Sequence, residues 1–358
     1  MSVKKFPSLE PFRNGDWIDP DQNEPLKIAI IGLGNFATEL VAPSAMNSSR
    51  VDIGAMVSGS KEKAIKYTER FDGVALTYEE FATAKREDAY DAAYIITPNA
   101  THLEYTKAAA NQGKAVLCEK PIERDATRAN KVQQVCDDAG VLLQVAYRLQ
   151  VDPAIRWARE VIKRGCIGTP IHAQGVMSQD IFQAISPDED QWRLDPELSG
   201  GAAFIDLGIY PLNTIRFLTD RDPIAVCGTT RNPDNRFEGV DQHTSATVVY
   251  EGGLLGSFSV SQLSTKEDLL HIVGTEGTME IDPAFFGDVK VKIEREDRSQ
   301  AISFPDTNEI RAQLDYFASH VTRDERPEPD GTHAVVDMEA IDGIYEAAAT
   351  GEWIQLTN

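Results

Sequence analysis

The sequence predicts an α/β domain built on a parallel, doubly wound sheet, followed by an α+β domain whose sheet is mostly antiparallel. Three observations predict it. Short apolar runs alternate with helical stretches from Leu26 to Arg148, a glycine-rich turn closes the first of those runs, and after Arg148 the strands crowd together with short turns between them.

Residues 1–26 mix Pro, Asp, Asn and Gly without any period and read as an irregular N-terminal arm, with Phe12 and Trp17 as candidate anchors. Residues 27–148 then run strand KIAIIGLG, a helix after Asn35, strand VDIGAMVSG and a helix from Lys61 to Phe71. Next come strand AYDAAYIITP, a helix after Asn99, strand KAVLCEKP, a helix from Asp125 to Ala139 and strand VLLQVAYR. Strands separated by helices of this length make right-handed βαβ units, and hence a parallel sheet. Residues 149–358 form the second domain. It opens with the helix PAIRWAREVIKRG and holds a second helix through AAFIDLGIYPLNTIRFL. The strands IHAQGVMSQ, IAVCGTTR, TSATVVYE, LLGSFSVSQ, DLLHIVGTEG and VKVKIERE belong to it, and two helices, NEIRAQLDYFASHV and HAVVDMEAIDGIYEAAATG, close the chain.

A chain of 358 residues that is 42% hydrophobic can bury more than one core, which fits two domains. Its 57 acidic against 35 basic residues give a net charge of -22, a field that repels nucleic-acid backbones. With so much apolar residue present the carboxylates belong on a folded surface, as expected in a salt-rich cytoplasm where charges are screened over about 3 Å. Cys118, Cys136, Cys166 and Cys227 are irregularly spaced, and with the six histidines they make no metal-ligand rhythm, so reduced thiols and no metal are expected. No apolar run approaches the roughly 20 residues that span a bilayer, and MSVKKFPSLE lacks a signal-peptide centre; no membrane contact and a cytoplasmic location are expected.

Gly32-Leu33-Gly34-Asn35-Phe36-Ala37 follows an apolar strand and opens a helix, the context in which GxGxx[GA] binds a dinucleotide. Gly32 permits the tight turn, Gly34 lets the backbone approach the pyrophosphate, and the helix start with Asn35 and Phe36 supplies N–H groups. At the end of the second strand, where an acid would read a ribose 2'-hydroxyl, stand Ser58, Gly59, Ser60, Lys61, Glu62 and Lys63. Hydroxyls from Ser58 and Ser60 with the ammonium of Lys61 or Lys63 suit a 2'-phosphate, so NADP is the expected cofactor. Asp52 begins that strand, far from its carboxyl end, and is read as a surface residue. Two more strand ends lead to the same crevice: Thr97, Pro98, Asn99 and His102 in TPNATH, and Glu119 and Lys120 in EKP.

In this order, GLGNFA, VSGSKEKA, TPNATH, CEKP, AYR, WRLDPELSGGAAFIDLGIY and VGTEGTMEID resemble the Gfo/Idh/MocA oxidoreductases over nearly the whole chain from Leu26. The resemblance implies an N-terminal Rossmann domain and a C-terminal open-faced sheet through which a homodimer or homotetramer assembles. It also implies roles near nicotinamide and sugar for Tyr147 and Arg148, which end the last strand of the first domain, and for Trp192 and Arg193; Tyr78 and Tyr316 are further cofactor candidates. Members resembling inositol dehydrogenase carry His where this chain has Tyr210, so the chain is similar to the tyrosine branch, and with its acidity to the haloarchaeal NADP-dependent D-xylose dehydrogenases.

Asp206 and Tyr210 are four residues apart, on one face of a helix. Oxidising a hemiacetal C1–OH needs a base at the oxygen and a hydride acceptor at the carbon. A free phenol, with a pKa about 10, is about one part in a thousand ionised at neutral pH and needs a neighbouring cation. Tyr210 is therefore the expected base, Lys120 its cation and a sugar ligand, and Asp206 the group that orients the sugar. Dihydrodiol or keto-sugar oxidation and a non-catalytic NADP-sensing role are the alternatives; the presence of Lys120, Asp206 and Tyr210 together favours an enzyme.

Overall fold

Six apolar runs, too short to be helices, become β1 (Leu26–Ile31), β2 (Val51–Ser58), β3 (Val74–Thr77), β4 (Ala92–Ile95), β5 (Ala115–Cys118) and β6 (Leu143–Val145) in the computed structural model. It describes residues 5–15, 17–18, 24–296, 298–304 and 307–356; the remainder of the expected N-terminal arm lies outside them. The six strands lie in the order β3-β2-β1-β4-β5-β6 and every neighbouring pair is parallel. Ile28, Ala29, Ile30 and Ile31 are wholly buried, as befits a strand covered on both faces. The direction of winding reverses between β1 and β4, so the turns after these two strands meet at the switch point.

The helices flanking this sheet start where a side chain can take a free amide. In α1 (Lys61–Phe71) Ser60 accepts from the Lys63 N–H, and in α3 (Ala126–Ala139) Asp125 accepts from that of Arg128; α2 (His102–Asn111) lies between them in sequence. β3 was not expected: four residues at the sheet edge are too few to show a period, although the capping box of Thr77 and Glu80 after it is legible. The helix after Asn35 begins as a wide π turn (Ala37–Val41) that leads into Ala42–Met46. Pro43 has no N–H for Glu39, and widening the turn relieves its clash with that carbonyl.

In the second unit, α4 (Pro153–Lys163) and α5 (Ile209–Thr219) pack with a nine-stranded sheet. Its strands are β7 (Pro170–Asp180), β8 (Pro223–Arg231), β9 (His243–Tyr250), β10 (Leu255–Ser261), β11 (Leu263–Gly274), β12 (Thr278–Ile281), β13 (Lys290–Arg295), β14 (Arg298–Ser303) and β15 (Ile354–Gln355). The order is β14-β13-β12-β11-β7-β10-β9-β8-β15, antiparallel except for the β7 and β10 pair. β12, β14 and β15 go beyond the strands read from sequence. A Cβ on Gly175 of β7 would come 2.4 Å from Pro211, so the glycine lets α5 lie close on the sheet.

Contacts divide the chain discontinuously. Trp17–Val151 joins Asn308–Val335 in one unit, and Asp152–Thr307 joins Val336 onward, with residues 5–15 of the arm, in the other. The contiguous boundaries at 26 and 148 miss these exchanges. The tail returns because α6 (Glu309–Arg323) inserts Ile310, Leu314, Phe317 and Ala318 into the core of the parallel-sheet unit; α7 (Gly331–Thr350) then carries the chain on. The arm holds a short helix, Glu10–Asn14, where only irregular chain was expected. It docks through Pro7, whose carbonyl accepts from Trp157 Nε1 at 3.2 Å, with Phe6 beside that indole. The four cysteines are free thiols, and no helix among the described residues is long and apolar enough to cross a membrane.

Candidate active site

Gly32 has φ +96°, and a Cβ there would lie 2.4 Å from the Ile96 carbonyl oxygen, so the turn after β1 runs close against the end of β4 at a position only glycine fills. At Gly34 a Cβ would meet nothing within 4 Å. This exposed glycine, with exposed Asn35 and the amides of the first turn, makes a cradle that fits a pyrophosphate, while Phe36 packs down on the core. At the end of β2, buried Ser58 accepts from the Ser60 amide at 3.3 Å, and Gly59 lies against the ring of Tyr78, which packs in turn on Tyr105 with the rings tilted by 36°. Lys61 does not present a loose ammonium here. It donates to Glu80 at 2.5 Å and to the Ala75 carbonyl at 2.8 Å, and hydrogen bonds from Lys61, Lys85 and the Thr77 amide hold the Glu80 carboxyl at about 2. Lys63, by contrast, is exposed at the helix start.

Thr97 and Asn99 are buried in the turn after β4, Pro98 is half-buried, and Glu119 and Lys120 are partly exposed after β5. His102 was expected to face the cofactor, but its ring is wholly enclosed and has no surface for a ligand. Nε2 lies 2.8 Å from the Thr97 carbonyl, and Nδ1 lies 3.1 Å and 3.2 Å from those of Pro121 and Ile122, so the imidazole staples the two turns together. Burial holds its pKa below the usual range. Glu119 accepts from the buried Tyr94 hydroxyl at 2.5 Å, and Gln313 donates to that same hydroxyl; burial raises the Glu119 carboxyl above its ordinary range. Behind them Glu123, fully buried, accepts from Arg128 and from the Leu103 amide. Arg148 pairs with Glu309, Tyr147 packs edge-on against His333, and Tyr316 lies beside His320. All three are buried, Tyr316 to 2% exposure, which places Tyr316 in the packing of α6 instead of on a ligand surface.

In the second unit, every residue from Gly201 to Leu218 is buried except Asp206 and Tyr210. This segment opens with the π turn Phe204–Gly208, again with a proline, Pro211, shortly after it. Its start is held by a residue that sequence reading missed. Asp241 is buried and accepts from the amides of Ala202 at 2.7 Å, Ala203 at 3.0 Å and Phe204 at 2.8 Å, as well as from Thr244 and the Tyr345 hydroxyl. Tyr345 also accepts from the Ile205 amide, and Gly201, at φ +151°, leaves room for that hydroxyl. Nothing near Asp241 in sequence announces this role, because the amides it gathers and the Tyr345 hydroxyl lie some 40 to 100 residues away, with only Thr244 close in sequence. Asp206 accepts from Gln262 at 3.0 Å and lies 3.6 Å from the Arg193 guanidinium, which stacks over Trp192. Phe285 and Phe286 pack against the Tyr210 ring. The partly exposed set Arg193, Asp206 and Tyr210 offers a cation, a carboxylate and a phenol to a polyhydroxylated ligand. Among the described residues, no group of three His, Cys, Asp or Glu side chains could hold a metal ion.

A glycine cradle at the switch point of a parallel sheet is the geometry of a dinucleotide-binding unit, and the antiparallel-sheet unit by itself presents a carboxylate and a phenol. Residues 26–147 match the model for the oxidoreductase family with an NAD-binding Rossmann fold, and residues 155–280 match the GFO/IDH/MocA C-terminal domain. The chain belongs to the GFO/IDH/MocA family of oxidoreductases. It is 38% identical to the D-xylose 1-dehydrogenase [NADP(+)] of Haloarcula marismortui, covering 96% of this chain and 97% of that one. It is 28% identical to D-xylose 1-dehydrogenase (NADP(+)) 2 of Haloferax volcanii over 92% of this chain and 100% of the relative. Among solved structures, the aldose-aldose oxidoreductase of Caulobacter crescentus in complex with glycerol superposes with a TM-score of 0.86 at 28% identity, covering 93% of this chain and all of that one.

Proposed function

We propose that the protein oxidises an aldose, D-xylose first among candidates, at C1 to the aldonolactone with NADP as acceptor. The observation that carries this reading is the exposure pattern of residues 201–218, where only Asp206 and Tyr210 reach the surface of an otherwise buried segment. The similarity to two NADP-dependent D-xylose dehydrogenases supports the substrate class and the cofactor.

NADP, when bound, supplies the hydride acceptor. The turn at Gly32 and Gly34 would hold its pyrophosphate, Ser58, Ser60 and Lys63 would read the 2'-phosphate, and Thr97, Pro98, Asn99 and Glu119 would line the remainder of its site. Tyr210 takes the proton from the C1 hydroxyl as the C1 hydride departs. Lys120 donates to the same oxygen and supplies the positive charge that lets a phenol act as base. Asp206, oriented by Gln262 and Arg193, accepts from a neighbouring sugar hydroxyl. Assembly as a homodimer or homotetramer through the open face of the nine-stranded sheet belongs to the same proposal.

The test is a panel of aldoses, inositols and dihydrodiols with NADP and NAD, following the absorbance of the reduced cofactor, with Tyr210→Phe beside the wild type. An aldose should give the highest kcat/KM, with NADP preferred. Tyr210→Phe should lower kcat by about two to four powers of ten with cofactor binding kept. Near-normal turnover by that variant rejects Tyr210 as the base, and a panel in which no aldose reduces NADP rejects the reaction.

A further inference from the structure

Between β12 and β13 the chain makes a loop over residues 282–289 whose backbone is held by one carboxylate. Asp268, on β11 and buried, accepts through Oδ1 from the amides of Ala284 at 2.8 Å and Phe285 at 2.6 Å, and through Oδ2 from that of Phe286 at 3.0 Å. Three consecutive amides on one carboxylate fix the loop's path and therefore the direction in which its side chains leave. Phe285 is wholly buried and plugs the core, with its ring centroid 6.1 Å from that of Tyr210. Phe286 needs no such place, yet its ring stands 5.5 Å from the Tyr210 ring, tilted by 49°, and stays partly exposed. Lys266 approaches the same ring, with Nζ 5.6 Å from its centroid.

We propose that Phe286 is a specificity-determining residue, an aromatic platform that receives the C–H face of a pyranose whose hydroxyls are taken by Tyr210, Asp206 and Arg193. The inference rests on the reading of the ligand as a sugar. A pyranose with equatorial hydroxyls presents axial C–H groups on its two faces, an apolar surface that an aromatic ring accepts and a water-filled pocket does not. The polar groups distinguish hydroxyl positions; the ring distinguishes a closed, flat sugar from an open-chain polyol, which has no such face. Asp268 acts through Phe286 and is a positioning residue.

The experiment compares wild type, Phe286→Ala, Phe286→Leu and Phe286→Tyr in steady-state kinetics with D-xylose and NADP. In parallel, saturation-transfer NMR of D-xylose is recorded with each protein, NADPH being present to hold it short of turnover. Phe286→Tyr should retain wild-type KM. Phe286→Ala should raise the D-xylose KM about tenfold, the effect expected for an aromatic contact, with kcat within about twofold and the NADP KM unchanged. It should also weaken saturation of the sugar C–H protons, and Phe286→Leu should fall between. Wild-type KM and wild-type saturation in Phe286→Ala overturn the proposal, as does a loss confined to kcat and thermal stability, which marks a packing role. Absence of saturation transfer from the wild type to D-xylose overturns it too. Saturation transfer without any NADP reduction sinks the proposed reaction alone, and the saturation measured in the variants then decides the platform.

Discussion

The two glycines of the first turn look equivalent in GLGNFA, yet their surroundings make them opposite cases. At Gly32 the left-handed φ and the Ile96 carbonyl 2.4 Å from a Cβ leave no room for any side chain, whereas at Gly34 the space is open. Gly32→Ala should therefore cost about 2–4 kcal/mol of stability. Gly34→Ala should change stability by no more than about 0.5 kcal/mol and, if the proposed cradle holds the pyrophosphate, still weaken NADP binding by placing a methyl group in that open space. Urea unfolding and cofactor titration of both variants check this, and equal losses of stability would contradict it. The turn at Gly32 was legible because a glycine pair directly after an apolar strand marks a tight turn, which the left-handed φ of Gly32 bears out. His102 was misread because its spacing after TPN marks a place in the turn but not the direction of the ring, which burial reverses.

At the scale of elements, long periodic segments were read to within a residue or two, as with Lys61–Phe71 and Ala126–Ala139. Short strands such as β3 and β12 were not, since four residues carry too little pattern. The segment bearing Asp206 and Tyr210 was legible as a helix, but what fixes it is remote. Asp241 gathers its first amides, and Asp337 accepts from Asn213 and Arg216 farther along, each at 2.7 Å. Asp241→Ala leaves three buried amides without their acceptor and should cost about 3–5 kcal/mol. Asp241→Asn keeps one oxygen for the amides of Ala202 and Ala203 and should cost roughly half as much. Chemical denaturation checks both, and an Ala variant as stable as wild type would remove Asp241 from this role.

For the molecule as a whole, the net charge of -22 makes stability a matter of salt and pH. Glu119, Asp268, Asp315 and Glu339 are held above their ordinary range, in each case first by burial. As pH falls from neutral the folded state takes up these protons before the unfolded chain does, so stability rises. Glu80 and Asp234 have the opposite sign. Hydrogen bonds from Lys61 and Lys85 in one case and from Arg236 in the other hold each at about 2, against ordinary values of 4.5 and 3.8. Their contribution is complete above those ordinary values and is lost as pH falls toward 2. His102, whose pKa burial lowers, opposes the raised carboxylates below its ordinary value of 6.5, where the unfolded chain takes the proton first. Four carboxylates outweigh one imidazole, so the thermal midpoint should peak on the acid side of neutrality. It should also rise when salt shortens the screening length from about 10 Å at 0.1 M to about 3 Å at 1 M. Thermal scans over pH 4–8 at two salt concentrations test this; a midpoint that falls steadily below pH 7, or is indifferent to salt, contradicts it.

What is local or periodic could be read from the residues alone: the alternation of the longer strands and helices, the glycine turn after β1, and the excess of carboxylates. Packing alone settles which carboxylates gather backbone amides, that Glu80 takes both Lys61 and Lys85, and that α6 returns to the first sheet while residues 5–15 join the second. Most of these depend on groups tens to hundreds of residues apart, whose energies come from burial and from satisfying amides within it, and burial is a property of the packed chain.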